Sequence, residues 1–320
     1  MRLAATVLAA GVIAVAVPAT AQADGGLTRV ILRDGTELLT HGGDPLLAPI
    51  APTEDERAPV CASDYYQHVL YGHPLTRPDR VDDVRATLRL YIRRMNAKLA
   101  EEGAESGRPV DYKFRCDSSG QPRVDSFTGP ISNSFPLIVQ AARDAGYAST
   151  RAKYVIFWDG DHSDRCGFGS VHRDQRLALD NRNNTGGSYG VTFRSCWAGT
   201  TPMHELGHNQ GAVQPGAPHW SGYIHCNDER DVMCYADGGS ESRIFTRCND
   251  RDHFDCGHDT YFDTSPEPGE WLASHWNIGW SGNRFLAFGG DQRASPPPPD
   301  DEAEADRCLV GLYGTCFIGR

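Results

Sequence analysis

Apolar positions recur at helical spacing in one long stretch of the chain. Across residues 81–102, Val84, Leu88, Tyr91, Ile92, Met95 and Leu99 fall near i, i+4 and i+7, the stripe of an amphipathic helix. Asp79, Asp82 and Asp83 stand at the end where the helix dipole favours negative charge. A second, shorter helix is predicted over residues 135–145, ended by Gly146. Strand patterns lie around and between them, at residues 28–32, 65–71 (ended by Pro74) and Val110–Phe114. Residues 154–158 form an unbroken branched and aromatic run, so that strand should be buried, and residues 189–197 alternate well enough for another. Strands interleaved with helices predict an α/β fold, a twisted and mostly parallel sheet with helices packed against it.

The two ends read differently. Arg2 precedes an uncharged apolar run at residues 3–17, and Ala21 and Ala23 stand at the −3 and −1 positions of a cleavage site. That predicts a secretory signal over residues 1–23 and an exported chain starting near Asp24. The run is too short to span a membrane, and no other segment approaches the ~18 apolar residues a spanning helix needs. Residues 24–60 are polar and proline-dotted, an N-terminal arm or a pro-segment. They hold no cysteine, so no thiolate there can block a metal in a latent form. Residues 292–320 begin as an acidic linker, with prolines from 296 to 299 followed by Asp300, Asp301, Glu302, Glu304 and Asp306. They close in a small tail between Cys308 and Cys316.

A net charge of −11 and a pI near 5.5 argue against nucleic acid as the partner. Ten cysteines in an exported chain predict disulfides, most simply between neighbours in order. The expected pairs are Cys61–Cys116, Cys166–Cys196, Cys226–Cys234, Cys248–Cys256 and Cys308–Cys316. None shows the CxxC pairing of a structural zinc site.

The chemistry concentrates after Thr200. His204-Glu205-Leu206-Gly207-His208 places two histidines at i and i+4, one turn apart on one helix face, so both imidazoles can reach one metal ion. Glu205 points to the same place and can take a proton from water there. Neutral imidazoles with no need for redox chemistry suit one catalytic zinc. Pro202 suits the start of this helix and Gly211 a sharp turn at its end.

These residues resemble the metzincin clan of metallopeptidases, whose signature is HExxHxxGxxH followed by a methionine turn. His204, Glu205, His208 and Gly211 match, and Asp231-Val232-Met233-Cys234-Tyr235 resembles the turn, with a tyrosine two places on as in astacins and serralysins. The match is specific over residues 199–235 and architectural over 61–198. It implies a metzincin-like fold: an upper subdomain at 61–211 ending in the active-site helix, and an irregular, disulfide-held lower subdomain with the Met-turn at 212–291. It also implies Met233 as an apolar floor beneath the metal, and Tyr235 as a flanking residue that donates to the oxyanion, with a half-buried structural tyrosine as the alternative. The chain departs from the signature at Gln214, where the third histidine belongs, and an amide oxygen is a poor zinc ligand beside imidazole. His225 is then favoured as third ligand over His219, because a Cys226–Cys234 bridge would hold it near the turn. The gap from His225 to Met233 is also similar to that in matrixins.

The expected function is a secreted zinc endopeptidase acting on protein or peptide, with Glu205 as general base. A zinc hydrolase of a non-peptide amide or ester, and a non-catalytic binder on a degenerate peptidase fold, are the alternatives. Asp250, Asp252, Asp255, Asp259 and Asp263 form an oxygen-rich candidate for calcium, but they match no EF-hand spacing and a solvated acidic loop is the favoured reading. Trp271, Trp276 and Trp280 read as packing residues before a binding platform.

Overall fold

In this computed structural model the described residues are 27–41, 43, 56–248 and 253–289, with the backbone alone at 44–45, 309–310 and 316–317. The expected leader at 1–23, the linker at 292–306 and the expected Cys308–Cys316 bridge lie outside them.

Strands β1 (Thr28–Ile31) and β2 (Glu37–Thr40) pair as an antiparallel hairpin. A nine-stranded sheet holds β3 (Asp44–Pro45), β4 (Val60–Cys61), β5 (Tyr66–Pro74), β6 (Val110–Phe114), β7 (Val124–Gly129), β8 (Ala152–Trp158), β9 (Arg165–Gly169), β10 (Ser188–Phe193) and β11 (Leu286–Phe288). The helices are α1 (Val81–Glu105), α2 (Phe135–Asp144) and α3 (Thr201–Asn209). Strand order is β11-β6-β5-β8-β10-β9-β3, with β4 on β6 and β7 on β5. The centre is parallel, through β5–β8, β8–β10, β5–β7 and β5–β6, while β9, β3 and β11 join it antiparallel. The fold is therefore mixed α/β with a mostly parallel sheet. Leu309–Val310 and Cys316–Phe317 pair separately.

Both faces of the central strands are covered, so every residue of β5, β8 and β10 is buried, the polar Gln67, His68 and Lys153 among them. Successive residues still serve opposite sides. Val69, Tyr71, Val155 and Phe157 pack with Leu88, Ile92, Met95 and Leu99 of α1, and with Met203 and Leu206 of α3. Leu70, Tyr154, Ile156 and Trp158 pack with Phe135, Ile138, Val139 and Ala142 of α2, and with Val30, Leu32 and Leu38 of the hairpin.

Helix α1 continues to Glu105, about one turn past its expected end, running through Gly103 and stopping before Gly107, which stands at φ +127°. The strand expected over 189–197 stops at Phe193, where a 3-10 turn at Arg194–Cys196 begins and the Cys166–Cys196 bridge ties it to β9. Strand β9 itself, Arg-Cys-Gly-Phe-Gly, lacks any strand pattern in sequence. Among the described residues there are four disulfides, Cys61–Cys116, Cys166–Cys196, Cys226–Cys234 and Cys248–Cys256, as ordered pairing predicts. Four such bonds belong to a chain that folds in an oxidising compartment. No helix among the described residues is long and apolar enough to cross a membrane.

Helix α3 lies tight against β9 and β10. A Cβ at Gly190 would sit 3.0 Å from Cβ of Glu205 and 3.2 Å from Nδ2 of Asn209, and one at Gly169 would sit 2.8 Å from Cβ of His208. Gly190→Val should therefore push α3 off the sheet, at a cost of about 1–3 kcal/mol for overpacking. A lower urea midpoint is the expected result.

Candidate metal centre

Helix α3 carries Pro202 in its first turn and ends in a Schellman motif. The Gly211 amide donates to His208 O at 3.0 Å and the Ala212 amide to Gly207 O at 2.9 Å, with Gly211 at φ +82°. Its last carbonyl is also held from the sheet side. Lys153, fully buried, donates from Nζ to Asn209 O and to Thr185 O. Burial lowers the Lys153 ammonium to about 7.

On this helix His204 and His208 turn toward one point, with their Nε2 atoms 3.0 Å apart. His225 arrives from the irregular segment that follows. One ligand nitrogen from each of the three lies within 4.8 Å of the other two, and all three residues are buried. Each of two rings is oriented from behind. His204 Nδ1 donates to Val232 O at 2.7 Å, since a carbonyl can only accept, and this leaves the Nε2 lone pair facing the cluster. His225 Nδ1 stands 3.2 Å from Asp237 Oδ2. That carboxylate also takes Ser221 Oγ at 2.7 Å and the amides of Ile224, His225 and Gly239. Burial pushes the Asp237 carboxyl up, but these bonds, led by that from His225, outweigh it and hold it well below the usual range. Buried imidazoles with converging lone pairs and carbonyl or carboxylate partners behind them are a donor set that fits a metal ion.

Glu205 is buried beside the cluster, with Oε2 3.2 Å from Nε2 of His41. The Tyr235 ring lies 4.1 Å from that of His225 and 6.0 Å from that of His204, centroid to centroid. Met233 is fully buried under the helix, where a Cβ on Gly207 would stand 2.5 Å from its sulfur. The Cys226–Cys234 bridge ties the residue after His225 to the residue after Met233.

The other candidates lie elsewhere. The Gln214 amide donates to His172 O and Gly211 O, at 3.0 and 2.9 Å. His219 is half-buried against Asp259, 3.3 Å away, with Arg247 alongside. The described aspartates, Asp255, Asp259 and Asp263, do not gather as a cage. Asp255 accepts the amides of Thr260, Tyr261 and Phe262, Asp259 pairs with Arg247, Asp263 takes the Ser265 amide, and Asp250 and Asp252 are outside the described residues. Trp276 is core, its Nε1 donating to Gln210 O at 2.7 Å and its ring 6.2 Å from that of Trp280, and Trp271 stacks on His275.

Two residues of the site have no counterpart in the motif reading. Asp237 sits in an Asp-Gly turn, so its turn chemistry was visible but its service to His225 was not. His41 offers only a lone histidine before two glycines, a pattern without chemical meaning until the chain folds.

No known family profile matches the chain, and no curated protein matches it. Among solved structures it is similar to wild-type OgpA from Akkermansia muciniphila, at 12% identity and a TM-score of 0.34, over 61% of this chain and 62% of that one. It is also similar to metalloproteinase-II from Bacteroides fragilis, at 16% identity and a TM-score of 0.31, over 68% of this chain and 56% of that one. The chain thus spans less than two thirds of each, at TM-scores below those of a shared fold.

Asp237→Asn removes the charge behind His225 and should weaken metal affinity by about ten- to a hundredfold, as loss of an outer-shell carboxylate does elsewhere. Competition with a chromophoric chelator measures it, and an unchanged affinity would show that His225 needs no such anchor.

Proposed function

We propose that the chain is a secreted zinc endopeptidase of metzincin-like fold, in which His204, His208 and His225 hold the metal and Glu205 is the general base. The observation that carries this reading is the convergence of three buried imidazoles on one point beside a buried glutamate. Three nitrogen ligands are the set a catalytic zinc uses when its fourth position stays open. Bound zinc supplies Lewis acidity, polarising a scissile carbonyl and acidifying water.

The protein's own groups do the rest. The Glu205 carboxylate accepts the proton from the attacking water and returns it to the departing amine. The Tyr235 phenol, beside His225 and His204, donates a hydrogen bond to the oxygen on which charge develops. Val232 O and Asp237 fix the rings of His204 and His225, so neither of these imidazoles has to reorient during turnover. Tyr235 is part-exposed where the imidazoles are buried, consistent with a residue that meets substrate.

Glu205→Gln removes the proton acceptor and no ligand. It should keep stoichiometric zinc and lose at least about 99% of turnover on a casein substrate, within the range for general-base loss. Turnover above about a tenth of wild type would remove Glu205 from the role. The ligand set has its own test. His225→Ala should lose zinc to a competing chelator at concentrations that leave His219→Ala loaded, and the reverse order would reassign the third ligand.

A further inference from the structure

Strand β9 is the antiparallel edge nearest the candidate site, and the chain's own N-terminal segment lies along it. The Val171 amide donates to Leu39 O at 2.8 Å, Thr40 bridges to Ser170, and Thr40 Oγ1 donates to Gly169 O at 2.8 Å. Farther on, Asp44 and Pro45 pair antiparallel with Gly167 and Arg165, and Arg165 donates to Gly43 O at 2.9 Å. Between these contacts His41 drops into the site. It is 2% exposed, its ring centroid is 4.3 Å from that of His208, and its Nε2 is 3.2 Å from Glu205 Oε2. One ligand atom each of His41, Glu205 and His208 lie close enough together to hold an ion themselves.

An open strand edge is a template for an extended peptide, whose backbone would use the same amides and carbonyls of β9. We propose that residues 39–41 and 43–45 are an internal inhibitory strand. They occupy the edge on which an extended peptide substrate docks, with His41 as the plug against Glu205 and His208, and the chain is latent while they stay there. This rests on the peptidase reading above. The Gly169 amide reaches Nε2 of His41 at 2.7 Å and the Gly43 amide its Nδ1 at 3.1 Å, so backbone on both sides holds the ring against the Glu205 oxygen, in the space an attacking water would need. The strand is secured without a covalent tie. Val30, Leu32 and Leu38 pack on α2, Leu27 packs with Val171 and Ile224, and Arg143 pairs with Asp34. Residues 27–45 contain no cysteine, so displacement needs no bond broken in a disulfide.

The test uses the full chain loaded with Co2+ in place of zinc, with acetohydroxamate as a small metal-seeking probe followed by the cobalt visible absorption. His41→Ala removes the plug. Gly43→Val dislodges the strand without touching His41, since Gly43 stands at φ +84° and a Cβ there would lie 2.6 Å from the Phe168 ring. Both variants should bind the hydroxamate at least about tenfold more tightly than wild type and cleave casein faster by a similar factor, because a competent state held at low population weakens apparent affinity by that fraction. The second variant decides the matter if the first fails to fold. Equal hydroxamate affinity in wild type and variants, within about threefold, overturns the inhibitory strand while leaving the peptidase reading intact. Tighter hydroxamate binding with no casein cleavage in any form sustains the strand as a gate on the metal and overturns the peptidase reading. A chain that takes up no Co2+ overturns both.

Discussion

Helix α3 is squeezed between two surfaces, and the space on each side exists only because a glycine stands there. On the sheet side a Cβ at Gly167 would fall 2.1 Å from Glu205 Oε1, and Gly169 and Gly190 let the helix backbone and His208 approach in the same way. On the other side Gly207 receives the Met233 sulfur. This close seating sets the depth of His204, Glu205 and His208 relative to β9, and so decides what can lie between them and the strand edge. It also makes Lys153 tolerable: the ammonium is buried where the helix's last carbonyl, Asn209 O, and the loop carbonyl Thr185 O need a donor, so its cost is offset by bonds that would otherwise be missing.

Beyond α3 the chain abandons regular structure, with one 3-10 turn at Trp271–Ala273 and the short β11 among the described residues to 289. Backbone donors there still need partners. Buried aspartates supply many of them. Asp237 takes the amides around His225, Asp255 those of Thr260, Tyr261 and Phe262, Asp231 that of Cys256, and Asp228 those of Arg230 and Arg247. The arrangement carries an electrostatic cost: burial, with Asp255 as neighbour, pushes the Asp231 carboxyl well up. The Cys226–Cys234 and Cys248–Cys256 bridges close short loops around the same carboxylates. Carboxylates and disulfides together do what ladders do in the sheet, and they bring His225 to the helix without a regular element beneath it.

The N-terminal hairpin shows the same economy on the opposite face. A short apolar stripe docks it on α2, and the chain then turns onto the free edge of β9 with no covalent anchor. Edge strands are commonly covered to prevent association with another chain, and here the cover comes from the protein itself.

Local patterns were enough for much of this. The periodicity of α1, the strand pattern of β5 and the unbroken apolar run of β8, the i, i+4 histidines with their glutamate, and the order of four disulfides all follow from short-range rules: one stripe, one buried strand, one helix turn, one pair of neighbours. Strand β9 did not announce itself, because its glycines serve α3 rather than the strand and leave no alternation to see. Asp237 and His41 were illegible for a related reason. Each matters through a residue outside its own local segment, His225 at a sequence separation of 12 and Glu205 at one of 164, and no local rule records such a partner. The choice of His225 over His219 falls between the two cases. The residues between Gly211 and Met233 limited the third imidazole to those two, but only the folded loop, closed by Cys226–Cys234 and drawn in by Asp237, turned one toward the helix and left the other beside Asp259. Sequence determined which groups were present and which could act as neighbours on one helix. The tertiary structure decided which distant groups meet, because contacts between remote segments depend on the packing of whole elements and not on any spacing within them.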